Sequence, residues 1–171
     1  MKKIILSFTF LFAIIAMANA QKFAMVDMEY VMKNIPAYET ANEQLTQVSK
    51  KWQKEVDDLN KEAETMYKNY QTELVFMSAD MKTKRENEIV EKEKAAQDLK
   101  RKYFGSDGEL FKKRESLMKP IQDEVYTAVK TISDDKGYQL ILDKSSAMNI
   151  IFASPKIDIS DDVLSKMGYS K

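Results

Sequence analysis

Aspartate and glutamate, 27 residues of 171, are the plentiful acid–base groups of this chain. Two of them facing each other across a cleft would suffice for acid–base hydrolysis of a glycosidic bond. Their spacing argues for a different role. Asp57 and Lys61, Glu64 and Lys68, Asp80 and Lys84, Glu88 and Lys92, Asp98 and Lys102, and Glu109 and Lys113 all stand acid first at i, i+4, the pattern of a solvated helix face. Ser145 and Ser146 are nominal nucleophiles, but a serine needs a base, and the chain contains no histidine and no cysteine. That composition removes the imidazole base, the thiolate nucleophile, the usual zinc site and any disulfide. The two serines therefore read as turn residues. Gly105, Gly108, Gly137 and Gly168 cannot form a phosphate-cradling loop, and Gly-x-x-x-x-Gly-Lys-Ser/Thr does not occur. The expectation is a protein that is not an enzyme, with no catalytic residues, no metal and no cofactor.

The acid–lysine pairs require long helices. From Ala37 to Phe104 the chain runs 68 residues without a glycine or proline, where average usage would place about eight. Leu45, Val48, Trp52, then Val56, Leu59, Ala63, then Tyr67, Tyr70, Leu74 recur with an 11-residue period. That period is about 3.67 residues per turn, so the apolar stripe stays on one face of a nearly straight helix. The stripe needs a partner, and Ser78-Ala79-Asp80 has the chemistry of a turn and N-cap from which a second helix returns. Residues 37–134 read as a long antiparallel helical hairpin. At about 1.5 Å per residue an arm descending from Ala79 reaches its base near Lys119. Gly105-Ser106-Asp107-Gly108 falls partway down it, which makes Gly105 and Gly108 candidate hinge residues.

Residues 1–20 stand apart. Lys2 and Lys3 precede an apolar stretch from Ile4 to Ala16, and Ala18-Asn19-Ala20 is a small-residue cleavage pattern, so a secretory signal cut after Ala20 is expected. The apolar stretch is short for a spanning helix, which needs about 20 residues. Without Lys2 and Lys3, 25 basic residues face 27 acidic ones, and the electrostatic footprint of a nucleic-acid binder is missing.

Outside the hairpin the period changes. Residues 22–28 form a short, almost continuous apolar run suited to a strand, and Tyr138–Asp143 and residues 149–153 read as two more. A last helix begins at Ser160, with Asp161 and Asp162 in its first turn and Gly168 as its stop. Residues 21–171 thus read as one α+β domain, with residues 22–28 and 138–171 making a β-body and closing helix. Three short strands bury little surface alone, and their exposed edges invite copies of the same chain. Phe23, Met25, Val26, Leu140, Leu142, Ile150 and Phe152 are the candidate oligomerisation residues.

Together with Val125-Tyr126-Thr127-Ala128-Val129-Lys130 and Asp158-Ile159-Ser160-Asp161-Asp162-Val163-Leu164, this layout resembles the Skp/OmpH family of periplasmic chaperones over essentially the whole mature chain. Its sharp segments are the N-terminal strand and the region after Pro120. The resemblance implies a jellyfish-like homotrimer in which β-strands make a central body and three helical hairpins extend as tentacles around a cavity. The resemblance further implies that unfolded outer-membrane proteins are held there without ATP, and that no cofactor is needed. A holdase binds the unfolded state and needs no catalytic group, and three arms let weak contacts add.

Met66, Tyr67, Tyr70, Phe76, Met77 and Met81, near the hairpin turn, are the candidate client contacts, because thioethers and rings adapt to varied sequences. Met66, Tyr70 and Met77 equally suit packing between the two arms. From Met66 to Glu86 the chain sets Lys68, Lys82, Lys84 and Arg85 against Glu73, Asp80 and Glu86. That near-balance departs from the strongly basic tentacles of relatives, so no membrane- or lipopolysaccharide-binding residues are assigned. A second reading is a periplasmic coiled-coil adaptor bridging envelope components. Such adaptors usually carry a fuller β-domain on both flanks of the hairpin, whereas here the N-terminal flank offers one short strand.

Overall fold

The computed structural model describes residues 22–146 and 150–169. The expected secretory signal at residues 1–20 lies outside them. Strand β1 (Lys22–Val26) leads into a short helix α1 (Met28–Lys33), then the long helix α2 (Pro36–Glu73) and a 3-10 turn (Leu74–Phe76). Helices α3 (Ala79–Phe104) and α4 (Glu109–Lys136) follow, then strand β2 (Tyr138–Asp143), a second 3-10 turn (Pro155–Ile157) and helix α5 (Ser160–Lys166). The chain divides into two compact units: residues 36–123, and residues 22–35 together with 124–169.

In the unit of residues 36–123, α2 packs against α3. Most of the 11-residue stripe is the packed face: Leu45, Val56, Ala63 and Tyr70 are buried, as are Ile89 and Ala96 on α3, whereas Tyr67 of the same stripe is exposed. Trp52 and Tyr103 stack across the hairpin with ring centroids 4.7 Å apart and planes 5° from parallel, and the Tyr103 hydroxyl donates to Glu55 at 2.5 Å. The i, i+4 pattern is realised at Glu64 and Lys68, 2.6 Å apart. Elsewhere the partners exchange: Lys92 reaches across the hairpin to Glu62 at 2.8 Å, while Glu88 pairs with Arg85.

The descending arm breaks where the glycines stand. Gly105 N–H donates to Arg101 O at 2.8 Å, Gly108 N–H to Gly105 O at 2.9 Å, and Lys112 N–H to Gly108 O at 3.1 Å. The break is therefore a closed turn between two helices. Both glycines are sterically required in it: a Cβ on Gly105 would lie 2.5 Å from Arg101 O, and one on Gly108 2.8 Å from Tyr103 O.

In the other unit, β1 and β2 form a two-stranded parallel sheet with Phe23 opposite Leu140, Met25 opposite Leu142 and Val26 opposite Asp143. Ala24, Met25, Val26, Val31 and Ile35 are buried, as are Val125, Ala128 and Ile132 at helical spacing on α4, Ile159 at the start of α5, and Val163 and Leu164 on it. Gly137 ends α4 with φ +71°, a conformation that disfavours a side chain, and β2 follows at once.

The third expected strand is not formed. Asn149 lies outside the described residues, and residues 150–153 are irregular, with Phe152 82 % exposed. The edge of β1 away from β2 is occupied further along the chain: Met25 forms a parallel bridge with Asp158, and its carbonyl accepts Ile159 N–H at 2.8 Å.

Charged side chains tie the ends of these elements together. Asp27 caps α1 by accepting Tyr30 N–H at 2.9 Å, while its own N–H donates to Ser160 Oγ at 2.8 Å. Lys144 lies 2.6 Å from Asp158 and 3.4 Å from Asp27. Asp158 in turn accepts the Ser160 N–H and hydroxyl at 2.9 and 2.6 Å. Burial opposes ionisation of Asp158, but the Lys144 ammonium and the Ser160 donors outweigh it and hold the carboxyl below its ordinary value. The bond to Asp158 raises Lys144 correspondingly.

Candidate functional site

The turn of the hairpin is built by a change of helix type. After Glu73 the chain tightens into the 3-10 turn, passes through extended Met77 (φ −88°, ψ 136°) and reaches extended Ser78. The Ser78 hydroxyl accepts Met81 N–H at 3.3 Å and caps α3. Asp80 in the first turn complements the helix dipole. Consecutive residues of a 3-10 turn point in different directions, so the Leu-Val-Phe run cannot hide all three side chains. Leu74 is half-buried, and Val75 and Phe76 project into solvent, Phe76 being 87 % exposed. Met81 on α3 and Tyr67 on α2 are exposed as well, at 54 % and 52 %.

The six contact candidates therefore divide. Tyr67, Phe76 and Met81 are exposed, Met66 and Met77 are half-buried, and Tyr70 is enclosed at 7 %. Tyr70 donates its hydroxyl to the Glu86 carboxylate on the opposing helix, and that bond pushes the phenol pKa up. It belongs to the packed face. Met66 lines an open groove with Asp58, Lys61, Glu62, Thr65 and Lys92, where charges of both signs leave no preference for an anionic or cationic ligand. Val75 was not among the sequence candidates. The signal that could have found it is the apolar run itself, placed where the helix must end.

A second apolar surface lies on the sheet. Phe23 and Leu140, opposite each other in the register, are 55 % and 54 % exposed, and Leu142 beside them is exposed as well. Met25 and Val26, also expected to face other subunits, are buried within the chain itself. Ile150 and Phe152 are exposed on the irregular segment. Among the described residues the outer edge of β2 carries no further strand, no group of three or more His, Cys, Asp or Glu could hold a metal ion, and no helix is long and apolar enough to cross a membrane.

This arrangement of one short strand, a long helical hairpin and a returning strand with a closing helix has known counterparts. The family described as outer membrane protein (OmpH-like) matches residues 22–167, from the first residue of β1 to the end of the closing helix. The chain belongs to the OmpH-like family. Among its relatives, the chaperone protein Skp of Yersinia enterocolitica is 27 % identical over 154 residues, covering 89 % of each chain. The solved structure of an OmpH-like candidate outer membrane chaperone from Caulobacter crescentus CB15 superposes with a TM-score of 0.68 at 13 % identity, over 85 % of this chain and 82 % of that one. At that identity the likeness concerns the fold.

Within this OmpH-like chain, three features escaped sequence reasoning besides Val75: helix α1, the Trp52–Tyr103–Glu55 lock, and the Asp27–Lys144–Asp158 clasp. Only α1 left a local trace, in the capping aspartate Asp27.

Proposed function

We propose that this OmpH-like protein is an ATP-independent periplasmic holdase chaperone. It is exported with cleavage after Ala20 and keeps unfolded outer-membrane proteins soluble among the hairpins of a homotrimer. The observation that carries this reading is the hairpin turn, where Val75, Phe76, Met81 and Tyr67 stand exposed beside solvated helices. Apolar groups held in water on a rigid scaffold suit a partner that itself exposes apolar chain. Flexible thioethers and rings accept many sequences. The exposed sheet face of Phe23, Leu140 and Leu142, with Ile150 and Phe152 nearby in sequence, supports self-association: such a face is more readily covered by another copy than left in water.

The test is to dilute a urea-denatured β-barrel membrane protein into buffer with the purified chain at stoichiometric ratio and no nucleotide, and to follow light scattering. Suppressed aggregation is the expected result, with a solution mass of three subunits. Aggregation at the rate of the unprotected client overturns the reading.

A further inference from the structure

The exposed thioethers of the hairpin turn are oxidisable groups placed inside the proposed contact surface. With no cysteine in the chain, the eleven methionines are the side chains most open to two-electron oxidants. Their environments differ sharply. Met25, Met32 and Met118 are buried, Met28, Met66, Met77 and Met167 are half-buried, and Met81 is the most exposed methionine among the described residues. Met77 and Met81 sit four positions apart on either side of the Ser78 cap.

We propose that Met81 first, and Met77 after it, form an oxidation-sensitive switch on the holding surface, with peroxide as the oxidant; this rests on the holdase reading above. The thioether sulfur attacks one peroxide oxygen, an S=O bond forms as the O–O bond breaks, and sulfur gives up two electrons. The second oxygen leaves as water. The product replaces a flexible apolar side chain by a polar sulfoxide beside Phe76, where a client would have to desolvate it. The hydrogen bonds at the turn use neither sulfur: the Ser78 hydroxyl accepts Met81 N–H, and on the adjoining packed face Tyr70 donates to Glu86. Oxidation thus changes what the turn binds and leaves the hairpin intact.

The experiment treats the full chain with hydrogen peroxide, removes the oxidant, maps sulfoxides by peptide mass spectrometry and titrates the treated protein against a urea-denatured β-barrel membrane protein. Among the described methionines, Met81 sulfoxide should accumulate first and the sulfoxides of Met25, Met32 and Met118 last. The treated chain should bind the client about tenfold more weakly with unchanged circular dichroism, and methionine sulfoxide reductase should restore it. Leucine is close to methionine in volume and cannot be oxidised, so M77L/M81L, whatever its starting affinity, should bind the client equally well before and after peroxide. M77Q/M81Q should bind weakly without it. Unchanged binding by fully Met81-oxidised protein, or equal loss in M77L/M81L, overturns the inference alone. An untreated chain that leaves the client to aggregate overturns the holdase function and this inference with it.

Discussion

Replacing Tyr67, Phe76 and Met81 together by serine separates a contact role from a packing role. Tyr67 and Phe76 are 52 % and 87 % exposed, which at about 200 Å² per aromatic side chain leaves roughly 100 and 175 Å² facing solvent. If a client covers half of that, the rings supply about 3.5 kcal/mol at about 25 cal/mol per Å². That is an upper bound of about 300-fold in affinity, which client ordering reduces. We expect binding at least tenfold weaker in the aggregation assay. Exposed substitutions cost about 0.5 kcal/mol or less each in stability, so the helical circular dichroism and Tm should barely move. Tyr70→Ser is the contrast: its ring is enclosed, and losing a buried aromatic costs about 3–5 kcal/mol, so Tm should fall. Full client protection by a well-folded triple variant would refute the contact assignment, and a triple variant that melts like Tyr70→Ser would show that the three residues are packing elements.

Three further outcomes follow from the same coordinates. Leu140→Asp and Phe152→Asp place charges on side chains that the subunit leaves exposed, so they should dissociate the proposed trimer, since burying an unpaired charge costs several kcal/mol, while the subunit stays folded; sedimentation that still returns three subunits defeats the assignment. Alanine at Gly105 and Gly108 collides with Arg101 O and Tyr103 O, so the turn must rebuild; if it is a hinge, distances between spin labels at the hairpin turns of the trimer narrow, and a spread as broad as the parent's removes the hinge. Asp143 and Asp158 are held below the ordinary 3.8 and Lys144 above the ordinary 10.5: the carboxylate contribution is complete above the unfolded value and lost as pH falls through the lowered one, and the lysine contribution is complete below 10.5 and lost as pH rises through the raised one. Asp158→Asn should therefore lower Tm at neutral pH and converge on the parent in acid, and a Tm gap that persists undiminished at pH ~2 would show that the clasp does not stabilise the fold.

Much of this architecture is written locally. The stripe from Leu45 to Leu74, the Ser78 cap, strand Tyr138–Asp143 and the start of the last helix at Ser160 each depend on residues within a turn or two, and each was legible. The strand expected at residues 149–153 is not formed even though, among the described residues, β2 keeps an open outer edge: β-branched and aromatic residues report compatibility with a sheet, not pairing with one. Helix α1, with six residues, is too short to show a period. The hydrogen bond from Asp27 to Ser160 spans 133 positions and that from Tyr103 to Glu55 spans 48, so no local pattern announces them. At the turn, which rings face solvent was decided by the direction of each residue around the 3-10 turn and the packed face, and composition carries no such information.

The parallel pairing of β1 with β2 also fixes an order of events in time. The hydrogen bond from Met28 to Asp143 joins residues 115 positions apart, whereas Tyr70 meets Glu86 across only 16. Closing the longer loop costs more entropy and forms more slowly, so the hairpin folds early and the sheet late. In a chain that emerges N-terminus first, Lys22–Val26 appears before the hairpin and must wait, unpaired, until Asp143 has followed. A product cut short between α3 and β2 can still make a hairpin, yet it has neither the sheet nor the apolar face of Phe23, Leu140 and Leu142. Length is thereby inspected by the fold itself: in the proposed assembly, chains truncated before β2 would lack the sheet face through which subunits meet.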